Sequence, residues 1–262
     1  MELKRVNRQD LRRLAQKGVV TTRDLSELFD LPPVRARDLA YYLKVRGFLV
    51  HVQKGLYACA PLDVDPKRFV PDPYLVVRKA LGESYAFSHL SALALLGFEQ
   101  TVRRTIHVSA PGVRSRRRKL GVLTVHVHSA RKDGWLEATT TMRRGGESLR
   151  VTTPERTLVD LASLPNSMQG YEEALEAYRS LFPRAEPEKL RQELLANPSG
   201  TVRARAGHLL GAIMPGASVP DDLLTEIQDS VKKMSPIYLA TKPGNPSNRF
   251  DRRFSVVYPG RG

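Results

Sequence analysis

The sequence predicts an α+β fold made of a small N-terminal domain and a larger second one. Two observations carry that prediction. Apolar residues at helical spacing recur between proline and glycine stops along most of the chain, whereas strand-like alternation is confined to residues 48–60 and to segments between 105 and 152. Hydrophobic residues make up 41% of the 262 positions, enough to build a core.

Taken in order, Arg5 to Lys17 reads as a helix turning Val6, Leu11 and Leu14 inward, with Gly18 placed to end it. Thr22 is expected to cap a short helix carrying Leu25, Leu28 and Phe29 on one face. Leu31-Pro32-Pro33 breaks that helix, and Pro33, which tolerates a first helical turn, opens another through Val34, Leu39 and Leu43 to about Arg46, stopped by Gly47. Phe48 to Val52 and Leu56 to Ala60 are β-prone runs around the turn Gln53-Lys54-Gly55. Helix, turn, helix and hairpin together resemble a winged helix-turn-helix over residues 1–60.

On that reading the helix from Pro33 docks on duplex DNA. Arg35, Arg37 and Asp38 lie in its first turns, where a recognition helix meets base edges, and Tyr41, Tyr42 and Lys44 follow a turn later. An arginine fork can donate twice to guanine, whereas Lys54 at the hairpin tip suits a phosphate. Arg12 and Arg13, with Arg8, sit on the solvent face of the first helix, within reach of the backbone or simply solvated.

The charge balance points the same way. There are 42 Lys plus Arg against 27 Asp plus Glu, a formal net charge of +15, which favours a polyanionic partner. No apolar run approaches the roughly 20 residues that cross a bilayer, and the charged start MELKRVNRQDLRR is unlike a signal peptide. A cytoplasmic protein without a membrane partner is the expectation. Cys59 is the single cysteine, so neither an internal disulfide nor a multi-cysteine zinc site can form.

Residues 61–73 hold four prolines and read as a linker, with the second domain, 74–262, beyond it. Asp72-Pro73 looks like the cap and first turn of a helix through Leu75, Val76 and Leu81, and Ser88 like the cap of HLSALALLGF. Thr105 to Ser109, Val122 to His128, Leu136 to Met142 and Ser148 to Thr152 alternate, which predicts a four-stranded antiparallel meander. Thr153-Pro154-Glu155 opens a helix on which Arg156 and Asp160 are spaced to pair along the surface. Helices are predicted for Tyr171 to Leu181, Pro187 to Leu195, Val202 to Ile213 and Asp221 to Met234, and two short apolar runs, Ile237 to Ala240 and Phe254 to Tyr258, flank the turn-rich TKPGNPSNRFDRR.

Few residues in this part look chemical. Arg114, Arg116, Arg117, Arg118 and Lys119 fall between two predicted strands, and read as an exposed loop forming a second polyanion contact. His126 and His128 share a strand face with His107 on the neighbouring strand, but no cysteine or acid nearby completes a metal site. Ser88 and His89 are adjacent on a helix and would face apart, which argues against a nucleophile and base. Asp221, Asp222 and Glu226 lack the acid-x-lysine pair of a nuclease core and suit a helix N-terminus. No catalytic residues, no metal and no cofactor are predicted.

YAFSHLSALALLGF, RRTIHVSAP, VTTPERTLVDLA and VRARAGHLLGAI together resemble the AbiEi family of antitoxins from type IV toxin-antitoxin systems. The resemblance covers most of the chain and implies an N-terminal winged helix joined to a domain of this kind. It also implies an autoregulatory transcriptional repressor that binds inverted repeats in its own promoter, and that counters a nucleotidyltransferase-like toxin without a stable complex. The family supplies no catalytic residues to carry over. An RNA-binding regulator is the alternative reading, and a nuclease ranks below it.

Overall fold

The structure, a computed structural model, describes residues 6–98, 104–163 and 170–260. Arg5, at the start of the first expected helix, and Arg103 of the RRTIHVSAP stretch lie outside the described residues. The chain is mixed α+β.

Helix α1, Arg8–Lys17, is closed at its start by Asn7, whose side chain accepts from the Asp10 amide while Asp10 accepts from the Asn7 amide. Strand β1, Val19–Thr21, follows at once. It was not expected: its partner, β3, is Leu56–Cys59, and a three-residue strand shows little alternation of its own. Helix α2, Thr22–Phe29, is capped by Thr21 rather than Thr22, with Asp24 completing the reciprocal pair. Helix α3 is Pro33–Val45, and strand β2, Leu49–Gln53, turns back through Lys54-Gly55 into β3. The sheet order is β1-β3-β2, antiparallel throughout. Leu14, Leu25, Phe29, Leu39, Leu43 and Leu49 form the core beneath it. Cys59 is buried there, and burial pushes its thiol up to about 12, so it acts as a small packed side chain.

Helix α4, Pro73–Leu81, starts where expected, with Asp72 accepting from the Tyr74 and Leu75 amides. Its Leu75 and Val76 pack with Val19 and Leu56, and Lys79 pairs with Asp24 of α2 at 3.0 Å. After β4, Ala86–Phe87, comes α5, His89–Leu95. Five strands follow: β5 Thr105–Pro111, β6 Arg116–Leu120, β7 Leu123–Ala130, β8 Thr139–Arg144 and β9 Glu147–Thr152.

Their sheet has the order β6-β7-β5-β4-β9-β8, which overturns the antiparallel meander. β5 and β7 are parallel, and β6 is antiparallel to β7 on its outer side. Charge explains the order. Strand β6, whose sequence is RRRKL, carries four successive cations, and its outer position spares it a second neighbouring strand. At the edge those cations stay solvated and also discourage pairing with another strand. Residues 114–119 are therefore largely strand, not loop.

The remaining helices are α6 Pro154–Ser163, α7 Tyr171–Leu181, α8 Pro187–Leu195, α9 Gly200–Ile213 and α10 Asp221–Val231. Strands β10 Ile237–Tyr238, β11 Asn248–Asp251 and β12 Val256–Pro259 form a third sheet, order β10-β12-β11. β11 arises inside the turn-rich stretch. Leu158, Tyr178, Leu181, Leu209, Ile227 and Phe254 centre a large core, where Gly207 lets the Phe254 ring lie against α9.

The chain divides into two compact units. One comprises residues 1–86, 102–132 and 141–150, and the other residues 87–101, 133–140 and 151–262.

Candidate nucleic-acid interface

Helix α3 is divided sharply between a buried and an open side. Ala36, Leu39, Ala40 and Leu43 are buried, which fixes the opposite face outward. That face carries Val34, Arg37, Asp38, Tyr41 and Val45, spaced three, four, seven and eleven residues from Val34, all exposed. Tyr41 is 67% exposed, Val45 66% and Val34 60%, values that call for a partner surface because three large apolar side chains are in water on one helix.

The two arginines named from sequence differ in position. Arg37 stands on the centre of the open face, its Nε donating to the Pro33 carbonyl at 3.3 Å. Arg35 is half-buried at the flank, 3.8 Å from Asp38. Tyr42 is engaged by Arg46, whose guanidinium lies 5.4 Å from the ring centre. Lys44, Lys54, Arg12 and Arg13 are all exposed, Lys54 at the tip of the β2–β3 hairpin.

The basic residues 114–119 lie in the same unit. Arg114 and Arg116 to Lys119 are exposed, and the register sets Arg117 opposite His126 and Lys119 opposite Thr124, whose hydroxyl accepts from Nζ at 2.9 Å. The turn joining β6 to β7 lies against β2: a Cβ on Gly121 would sit 2.9 Å from the Val52 carbonyl oxygen. The cationic edge strand and the hairpin bearing Lys54 are thus on touching elements.

His107 and His128 share a hydrogen bond, Nδ1 to Nε2 at 2.9 Å, with rings 5.2 Å apart, and the His126 ring lies 4.2 Å from that of His128. Burial, then the neighbouring imidazoles, pushes His128 down to about 3, and burial followed by Arg117 lowers His126.

In the other unit, Ser88 occupies the N-cap position of α5, but its side chain makes no capping bond. Its hydroxyl lies 2.9 Å from His89 Nδ1, and His89 adopts a left-handed φ of 53°. The two side chains therefore meet, against expectation, although both are buried. Arg156 and Asp160 pair as spaced, at 2.9 Å, but inside the protein: Asp160 is buried and Arg156 also reaches Glu193 of α8 at 3.3 Å. Asp160 Oδ2 has no hydrogen-bond partner among the described residues, and His89 Nδ1 stands 4.0 Å away. Glu155, overlooked in the sequence beyond its position near a helix start, is buried and accepts from the Glu186 amide at 2.8 Å. Asp222 and Glu226 both bind Arg191 of α8, so these acids join two helices.

A stretch of the chain, residues 85–212, matches the family model for the AbiEi antitoxin C-terminal domain. It includes SHLSALALLGF and VTTPERTLVDLA and nearly all of VRARAGHLLGAI. The crystal structure of the RV2827C protein from Mycobacterium tuberculosis is similar, with a TM-score of 0.68 and 20% identity over 94% of this chain and 89% of that one. At that identity the likeness is one of fold. No curated protein matches the chain. No helix among the described residues is long and apolar enough to cross a membrane.

Proposed function

We propose that the protein is a DNA-binding transcriptional repressor and autoregulatory antitoxin, not an enzyme, acting in the cytoplasm. Residues 1–60 are its winged helix-turn-helix, α3 its recognition helix and the β2–β3 hairpin its wing, joined through residues 61–73 to the antitoxin part. It binds inverted repeats in its own promoter and counters a nucleotidyltransferase-like toxin without forming a stable complex with it. The observation that carries this reading is the open face of α3, where Arg37 is flanked by exposed Val34 and Tyr41 on a helix whose other side is the core. A guanidinium between apolar groups suits a major groove that offers guanine acceptors beside thymine methyls.

Two measurements test it. Arg37→Ala is expected to cost about 1–3 kcal/mol on the promoter repeat with little change on random duplex, the pattern of a lost base contact. Equal losses on both would remove Arg37 from base reading. Lys54→Ala, by contrast, is expected to weaken all duplexes alike and to make the salt dependence shallower by about one logarithmic unit. An unchanged slope would take the hairpin tip out of the interface.

A further inference from the structure

A cavity of about 450 Å³ opens in the first unit between β2, residues 69–73, α4 and the β6–β7 turn. Its size falls within the range of small-molecule sites. Val50, Val52, Val76, Leu120 and Leu123 are among its apolar lining residues. Its rim is unusual for a surface in water: Val70 is 75% exposed and Val122 79%. An apolar lining that continues outward onto exposed valines gains by being covered.

Arg104 decides what covers it. This side chain lines the same cavity, is exposed, and has no ion pair or hydrogen bond from its guanidinium among the described residues. A planar cation at the edge of an apolar cleft matches a carboxylate or sulfonate head on an apolar body. His51, also exposed, adds a second polar group at the lining. Neutral oils would leave Arg104 unused, and cations would be repelled.

We infer that this cavity is a binding site for a small anionic amphiphile, a molecule with an aromatic or medium-chain apolar body and one carboxylate or sulfonate. Its anion meets Arg104, and its body covers the exposed valines and fills the space against β2. Because Val50 and Val52 belong to the strand that leads into the Lys54 turn, an occupant touches the hairpin directly. If the DNA-binding reading holds, occupancy and duplex affinity are coupled, each altering the other by the same factor.

The site is tested without DNA, so that its failure and that of the DNA-binding reading are distinguishable. The full chain is titrated with 8-anilinonaphthalene-1-sulfonate, followed by fluorescence, and the bound probe is then challenged with decanoate, decanol or decyltrimethylammonium. One saturable site is expected, displaced by decanoate at least tenfold more readily than by the other two. Arg104→Gln is expected to weaken the probe tenfold or more, with Arg104→Lys keeping part of the affinity. Val70→Glu, which places a carboxylate on the rim at an already exposed position, is expected to abolish binding while circular dichroism stays unchanged. Absence of saturable fluorescence, indifference to head-group charge, or full binding by Arg104→Gln would each overturn the proposal. Arg104→Gln carries the test should Val70→Glu fail to fold.

Discussion

Arg156→Met is expected to lower stability by about 3–5 kcal/mol near neutral pH, the cost of removing one partner from a buried ion pair. Methionine keeps much of the volume and removes the charge, leaving Asp160, 5% exposed, without its guanidinium partner. The loss is expected to depend on pH in a defined direction. Burial raises the Asp160 carboxyl to about 6, with Arg156 pulling it down. The folded chain therefore holds this proton at pH values where an unfolded aspartate, near pKa 3.9, has released it, and the group's contribution to stability falls as pH rises from about 4 to about 6. Without Arg156 the carboxyl titrates higher still, so in the variant the fall continues further up the scale. Urea unfolding between pH 4.5 and 8 should show a gap between parent and variant that widens with pH. In an Arg156→Met, Asp160→Asn double variant the combined loss should be smaller than the sum of the single losses. A gap that is constant with pH would mean that Asp160 is not the group left unpaired.

The same pair shows where sequence reading stops. Arg156 and Asp160 are four residues apart, and that spacing is identical on a surface and in a core. What buries it is α8, which brings Glu193 from more than thirty residues away. Helix α3 was legible because its limits are chemical: Pro33 admits a first turn, Gly47 ends the run, and Leu39 and Leu43 repeat at four residues. Strand β1 was not legible, since Val19 and Val20 acquire their meaning only from pairing with Ala58 and Tyr57. Strand order lay between these extremes. Alternation identified β5 and β7 but says nothing about which neighbours pair, while the cationic sequence of β6 already carried a reason to keep it at an edge. The polar and aromatic side chains of the candidate interface were named from the sequence, but Val34 was read with Leu39 and Leu43 on the apolar run and is exposed, and the central place of Arg37 and the flanking place of Arg35 follow from how α3 is seated on its core. The left-handed backbone of His89 had no signal, because no glycine or asparagine marks it.

Neutralising Arg116, Arg117 and Arg118 to glutamine together is expected to reduce the salt dependence of duplex binding by about 2.7 logarithmic units, taking about 0.9 for each phosphate given up. The arithmetic makes the effect large at low ionic strength. Between 50 and 200 mM salt the parent should lose about 40-fold more affinity than the triple variant, so the variant's deficit shrinks by that factor across the range. Promoter and random duplex should suffer alike, since backbone contacts carry no sequence information. The fold should be unaffected: all three side chains are exposed, and the β6–β7 ladder is made by main-chain groups that glutamine keeps. An internal control shows that the field of the strand has changed. Arg117 contributes to the lowering of His126, so the His126 imidazole should titrate at a higher pH in the variant, a shift that NMR can follow without DNA. Should the imidazole move while the salt slope stays at the parent's value, the edge strand faces solvent and not phosphate. Normal promoter binding combined with failure to rescue cells expressing the partner toxin would instead assign the same cations to the antitoxin role.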